Sequence, residues 1–512
     1  MTGKRKNPLR GRLVAKARGE SLINDTSRKE SVGVRGSKTQ MSASISESFS
    51  DSGGSSSSSS VTEPISLSLL SSFASATKYK PDFFFALLPQ FEELVYPFSP
   101  AMSAKDIVAS VSAMYDNFEN AALVYAYAAA TTFLSQTSDT LHGDVAMQLN
   151  ELVQYSLEAH KRAEITLDDQ GRLDEKPAPT NKRIMTCIYL EIAMMAFKRF
   201  DRSFSILREA ITMLQVRQVM MRDRPAPPAD FLAYQRLYRE AWIHERFLTI
   251  TSGYPSVLAP LVPARPAADP NTPMHIEAGF NRLIHLFSIL DDTFLASWHG
   301  HDNTITAGWI EAKQVQLDQD EIDAAEAERD LWNRGHTGLS ERQHADLFIT
   351  RLWLRTSLWQ LALSNGFLRF APSRDTHEGL SLLFPVQRLT TQLHSLVSRL
   401  DSIASISSQG SGILQKLFEV TSTIADVLAL YPARNQEDGG WVRGGAATTE
   451  GGGSGSGLDS HIEDFGYVAR FLLSFEGVRE TQKVYLREKL EMLHQSHVVV
   501  GFIDWPPFAP ST

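Results

Sequence analysis

Large apolar residues recur along most of this chain at the spacing of one face of a helix. Phe280, Leu283, Phe287, Leu290, Phe294 and Trp298 follow one another at intervals of three or four residues, which predicts one helix with a single apolar stripe. Ile413, Leu417, Val420, Ile424 and Val427 repeat the pattern. Between Asp346 and Leu363 the apolar positions run nearly all the way round. Leu347, Leu354, Leu358 and Leu361 share one face, with Phe348, Leu352 and Trp359 on another, and such a helix belongs inside a large bundle. Residues 183–216 read as a helical hairpin. Ile184, Ile188, Ile192 and Met195 form one stripe, Phe200-Asp201-Arg202 sits at the turn, and Phe204, Leu207, Ile211 and Leu214 form the second. No further copy recurs at a fixed period, so a repeat array is not expected. Strand-like alternation is scarce. The expected fold class is all-α, a large multi-helix regulatory domain with a disordered N-terminal arm.

The pattern is interrupted in recognisable places. Residues 1–75 begin basic, turn Ser-rich and end in the run Ser55–Ser60, with too little apolar surface to offset the entropy of ordering. Order is expected from Pro81, where Phe83, Phe84, Phe85, Leu87 and Leu88 precede Phe91, Leu94, Val95 and Tyr96, and Pro97 and Pro100 stop the segment. Pro225, Pro227 and Pro228 precede one helix; Pro255, Pro260, Pro263, Pro266, Pro270 and Pro273 fill a long connection. The organisation expected is a helical domain over 80–435, a Gly/Ser-rich disordered insert over 436–460, and one C-terminal helix over 461–497, amphipathic from Ile462 to His494.

Composition agrees with a globular body: 43% of the 512 residues are hydrophobic and 21% charged. A formal net charge of -9 argues against a protein that coats nucleic acid or anionic membrane along its whole length. The charge is unevenly placed. Residues 1–40 hold eleven Lys/Arg against three acids, which leaves 39 basic and 56 acidic residues for the remainder. With one cysteine, Cys187, neither an internal disulfide nor a multi-cysteine metal site can form, and a reducing compartment is expected. The first thirty residues lack the apolar core of a secretory signal, and no apolar run reaches the roughly 18 residues of a membrane span.

Candidate chemistry is sparse. His299 and His301 flank Gly300, with Asp302 beside them and His336 farther on, but a metal needs three or four convergent ligands, and the segment reads as a loop after a helix end. Asp291-Asp292 resembles the aspartate-rich helix of terpenoid synthases. Leu295 and Ala296 stand where a further acid is needed, so the pair reads as a polar helix edge. The Gly-rich run 439–457 lacks a Gly-Lys-Ser/Thr ending and reads as a linker. There is no Gly-x-Ser-x-Gly elbow, and Cys187 beside Ile188 reads as a core thiol. Neither catalysis nor a cofactor is expected. The remaining feature is the basic cluster Lys4, Arg5, Lys6, Arg10, Arg12, Lys16 and Arg18, with no acid among them. It suits nuclear import and salt-sensitive contact with DNA phosphates, but offers no rigid element to read bases.

The stretch Arg236-Leu237-Tyr238-Arg239-Glu240-Ala241-Trp242-Ile243-His244-Glu245-Arg246-Phe247, followed by Gly253-Tyr254-Pro255 and Pro260-Leu261, resembles the middle homology region of fungal-specific transcription factors of the zinc-cluster family. On its own terms the segment is an amphipathic helix with Tyr234, Leu237, Ala241 and Leu248 facing a core, and Arg236 and Glu240 spaced for an ion pair. Arg183-Ile184-Met185-Thr186, the run Leu207 to Leu214, Gln343–Arg355 and the run Gly410 to Leu417 are similar to one branch of that family, ascomycete regulators of sexual development. Close relatives in that branch also control secondary-metabolite gene clusters.

The resemblance implies a nuclear regulator of transcription with hydrophobic crevices between its helices, although no residue marks a ligand site. Family members carry six cysteines that hold two zinc ions ahead of this domain, and that set is missing here. Lys4-Arg5-Lys6-Asn7-Pro8-Leu9-Arg10-Gly11-Arg12 is similar to the basic linker that follows the cluster. Two expectations follow: a zinc cluster encoded upstream and direct DNA binding, or a cluster-less co-regulator that acts through a partner transcription factor. A second copy of the chain is a further expected partner, a membrane is not, and a metal-dependent all-α enzyme of secondary metabolism is the remote alternative.

Overall fold

The computed structural model describes residues 78–136, 143–164, 179–222, 227–260, 268–300, 305–333, 335, 338–370, 376–400, 406, 410–430 and 456–496. Within them the chain is helical, without strands; one isolated bridge joins Arg369 and Ser381. The helices are α1 (Pro81–Ala86), α2 (Leu88–Gln90), α3 (Ala104–Ser112), α4 (Phe118–Leu134), α5 (Gly143–Ala163), α6 (Asn181–Ala196), α7 (Phe200–Arg222), α8 (Phe231–Ser252), α9 (Met274–Phe287), α10 (Asp292–Trp298), α11 (Ala307–Asn333), α12 (Glu341–Ser364), α13 (Thr390–Val397), α14 (Ser411–Leu428), α15 (Ser456–Leu473) and α16 (Glu480–Ser496). Two π-helical turns, Phe91–Val95 and Pro385–Leu389, complete the main elements.

Two halves share one core. In the first, α4 packs against α5 and α6, and α6 against α7. Helix α4 is buried almost throughout, and its alanines (Ala121, Ala122, Ala126, Ala128–Ala130) let neighbouring helices approach closely. In the second half α12 is central, packed against α9, α11 and α14, with α15 and α16 closing over α14. Trp353 on α12 is fully buried, stacks obliquely near Phe247 and Phe287, and donates its Nε1–H to Glu419 at 2.6 Å. Burying such side chains stabilises the fold by about 1.5–3 kcal/mol each, which is why apolar periodicity reads these helices correctly. Helix α8 touches both halves, packing on α6 and α7 and on α9 and α10.

Local signals fix the helix starts. Ser103 with Asp106 and Ser340 with Gln343 form reciprocal capping boxes for α3 and α12, and Asn117, Thr180 and Asp291 cap α4, α6 and α10. The last of these corrects one expectation. The stripe from Phe280 to Trp298 is not one helix: α9 ends at Phe287, and Asp291 accepts the backbone N–H of Phe294 at 2.8 Å to start α10. All but two of the stripe residues are nevertheless buried, because the break reorients the chain over the same core. The turn of the α6–α7 hairpin is Phe197-Lys198-Arg199, with Lys198 at φ 57°, and Phe200 already opens α7. The expected C-terminal helix is divided into α15 and α16 by residues 474–479, where Phe475 and Val478 turn inward. Helix α15 begins at Ser456, inside the stretch 436–460 assigned to the insert.

Candidate functional site

Helix α8 organises the seam between the halves, beginning with its closing Glu245-Arg246. Both side chains are fully buried. Glu245 accepts the Ser256 hydroxyl at 2.8 Å, the backbone N–H groups of Val257 and Leu258 at 2.9 Å, and Arg208 Nη1 at 2.9 Å. Arg246 donates to the carbonyls of Leu290 and Leu258 at 3.2 Å and to Ser256 Oγ at 3.1 Å, with its guanidinium 4.3 Å from the Trp242 ring centre. Burial pulls the Arg246 guanidinium down to about 10, partly offset by Glu245 and Asp292, so it remains charged at neutral pH. Gly253, in the left-handed conformation at φ 72°, ends the helix and turns the proline-bearing loop back toward this pair. Tyr254 stacks on Phe204 at 3.9 Å, and Arg208 donates to the Pro255 carbonyl. The motif is a staple that ties a loop to a helix.

The pair expected between Arg236 and Glu240 is not formed. Both are buried, and each finds partners outside its own helix: Arg236 donates to Glu277, to Thr272 Oγ1 at 2.7 Å and to the Pro100 carbonyl at 3.0 Å, while Glu240 accepts the Ser99 hydroxyl. Spacing permits an i, i+4 pair on a solvated face; inside a core, the groups packed opposite decide.

One turn before the staple, α8 borders a cavity of about 200 Å³ between the halves. Its wall is mostly apolar, including Leu94, Ile192, Ile243, Phe280, Leu283 and Ile413, and its polar groups are Ser99, Glu191, Glu240, His244, Asp346 and Lys416. His244 Nδ1 meets Glu191 at 2.9 Å. Burial pulls the His244 ring down, but the Glu191 carboxylate and Glu240 outweigh it, and the net direction is up. Glu240, 2% exposed, is pushed up to about 7 by burial, with His244 and the Ser99 hydroxyl opposing and Glu191 adding to the rise. Opposite them Lys416 donates to Asp346 at 3.2 Å and Thr350 at 2.7 Å, close to the faces of Phe247 and Phe287. Asp346, Gly410, Gly412, Ile413 and Lys416 come from passages already singled out in the sequence, yet nothing in their spacing pointed to a shared cavity.

Lys4, Arg5, Lys6, Arg10, Arg12, Lys16 and Arg18 lie outside the described residues, as do His301, Asp302, His336 and residues 439–455 of the Gly-rich run. His299 is the C-cap of α10. Asp291 is occupied as a helix cap and as the partner of Lys313 at 2.7 Å, and Asp292 approaches Arg246 at 3.5 Å. Cys187 is buried in α6, as a core thiol should be, but it has polar company: His160 Nε2 lies 3.7 Å away and also meets Glu209 at 2.8 Å. The three donors fall within 4.8 Å of one another. Burial, with Glu209 adding, drives the Cys187 thiol well above its ordinary range and keeps its proton on, which opposes metal ligation. This cluster joins α5, α6 and α7, a meeting that no local sequence signal announces.

No family model matches the chain. A curated relative, the probable sucrose utilization protein SUC1 of Candida albicans (strain SC5314 / ATCC MYA-2876), is similar at 22% identity over 259 residues, 49% of this chain. The chain spans about half the length of that relative, 48%.

Proposed function

We propose that this chain is a fungal transcription regulator that acts in the nucleus on promoters of developmental or secondary-metabolite genes. The observation that carries the reading is the α8 staple. The segment that resembles the middle homology region of fungal-specific transcription factors forms one structural unit, in which Glu245 and Arg246 hold the loop from Tyr254 to Leu258. Similarity to a yeast protein named for sucrose utilization supports a fungal context. In this reading the helical body is a regulatory domain without catalytic work. The zinc cluster that the resemblance implies has no place in this chain: it needs six thiolates, and the one thiol present, Cys187, is 1% exposed in α6. DNA is reached through a cluster encoded upstream or through a partner transcription factor, with Lys4 to Arg18 adding phosphate contact or import.

A C-terminal tag at the native locus, with the natural start left intact, tests this by mapping the protein on chromatin. Sharp peaks over a recurring short element are expected, and the mass of the tagged product separates an upstream cluster from a partner. A protein outside the nucleus with no enrichment would overturn the regulator reading.

A further inference from the structure

A second, smaller pocket of about 30 Å³ opens where the end of α6 meets the start of α16, and shares Phe133 and Met195 with the first cavity. Its floor is neutral and satisfied from within. Gln482 accepts the backbone N–H of Arg479 at 3.2 Å and donates to Gln415 at 2.9 Å, which donates to Glu419 at 2.9 Å. This relay fixes where Arg479 stands, and its guanidinium lies 4.2 Å from the Phe200 ring centre. No ion pair or side-chain hydrogen bond holds that guanidinium among the described residues, yet none of its nitrogens is sealed from solvent. Burial pulls it down, and only Glu419, already spent on Gln415 and Trp353, opposes.

Lys198 lines the same pocket, is exposed, and has no anionic partner among the described residues. It closes α6 at φ 57°, with its N–H on the Met195 carbonyl at 3.0 Å and the Arg199 N–H on that of Met194 at 3.3 Å, a turn at which glycine is favoured. A lysine there keeps a cation at the pocket at the expense of backbone strain. The acids beside the two cations are engaged elsewhere, Asp201 with Arg199 at 3.2 Å and Glu480 with Arg487 at 3.0 Å. The α6 and α16 ends carry opposite dipoles, so the side-chain charges decide what the pocket attracts.

We propose that this pocket binds a phosphate monoester as its dianion, with phosphoryl oxygens on the Arg479 guanidinium and the Lys198 ammonium. Two cations match the charge that a monoester carries near neutral pH, and a carboxylate would offset only one of them. Size points the same way. One water needs about 10–15 Å³ by this measure, so about 30 Å³ takes the oxygens of one phosphoryl group and no ring. The ester carbon then leaves through the open side. Two sources share this chemistry: a phosphoserine in a protein segment, for which the run Ser55–Ser60 of this chain is one supply, and a free phosphate. The site stands independently of whether the chain acts at promoters.

Calorimetric titration of the full chain, first stripped of phosphate by a phosphatase, tests the proposal at low salt and about pH 7.5, where the monoester is a dianion. The probes are a peptide of residues 52–63 phosphorylated at Ser57, the same peptide unphosphorylated, and inorganic phosphate. A phosphorylated probe is expected to bind one-to-one and at least roughly tenfold tighter than the plain peptide, the scale of a charge-assisted hydrogen bond. A phosphopeptide tighter than inorganic phosphate marks a protein segment as the source; equal or weaker binding marks free phosphate. Arg479→Gln and Lys198→Gly should each weaken the phosphorylated probe at least roughly fivefold. Glycine relieves the positive φ, so Lys198→Gly should melt at or above the parent temperature while it binds more weakly, a combination that loss of structure cannot produce. Where Arg479→Gln does not fold, Lys198→Gly decides alone. The proposal is overturned if neither phosphorylated probe binds more tightly than the plain peptide, or if the affinity survives Lys198→Gly.

Discussion

Glu240 and Glu245 lie on the same helix, both essentially sealed from solvent, and the fold treats them in opposite ways. Glu245 receives two backbone N–H groups, a hydroxyl and a guanidinium, so its charge is fully compensated. Glu240 receives one hydroxyl and keeps an oxygen unpaired among the described residues. The contrast separates two uses of a buried carboxylate. A saturated one fastens a loop to a helix, and its cost is met inside the protein. An unsaturated one keeps part of its desolvation cost and holds its proton more tightly instead.

The sharpest way to break the comparison is to truncate the saturated acid. Glu245→Ala strands Arg246 in the core and frees the N–H groups of Val257 and Leu258 at once, so a loss of about 3–5 kcal/mol is expected, the scale for breaking a buried charge pair. Urea unfolding of the purified chain reads this directly. A loss below about 1 kcal/mol would mean that the staple behaves like a surface pair and that the distinction between the two acids is wrong.

The next effect is smaller and reverses sign. Glu240 titrates at about 7 in the fold against an ordinary 4.5, so between those values the native chain holds a proton that the unfolded chain has released. Stability therefore declines as pH rises through that window, by on the order of 3 kcal/mol for this one group. The raised His244 acts in the same direction: its contribution is full below its ordinary value and lost as pH rises through its folded one. Glu240→Gln keeps the shape and removes the charge. It should match the parent near pH 5 and exceed it at pH 8 by up to about 3 kcal/mol. Melting profiles across that range check it; parallel profiles for parent and variant would show that Glu240 is not the strained group.

Much of this was legible along the chain, and the limits are physical. Helices α12 and α14 announce themselves because burial imposes periodicity on many residues together. Tyr234, Leu237, Ala241 and Leu248 are buried, as the amphipathic reading of α8 requires. What periodicity cannot register is a single cap: Asp291 ends a stripe that would otherwise continue. Nor can spacing choose partners. Ser99, which engages Glu240, is 141 residues away, and Glu277, which takes Arg236 from its neighbour, is 41 away. The cavity exists only where π-turn, α4, α6, α8, α9, α12 and α14 converge, so no segment carries its signature. The cluster of His160, Cys187 and Glu209 was hidden for the same reason.

The smallest prediction asks how the staple divides its work between charge and backbone. Gly253 sits at φ 72° between α8 and the loop held by Glu245. Any side chain there meets the Cβ–carbonyl clash of the left-handed region, about 1–2 kcal/mol, so Gly253→Ala should destabilise the chain by that amount. The loop has two attachments, this turn and the hydrogen bonds from Ser256, Val257 and Leu258 to Glu245. If they act as one unit, Gly253→Ala should cost clearly less in a Glu245→Ala background, because a released loop can relax the strained turn. Additive losses in the double-mutant cycle would instead make the turn an independent helix stop. The loop would then owe its position to Tyr254 stacking on Phe204, and the saturated acid would serve mainly to neutralise Arg246.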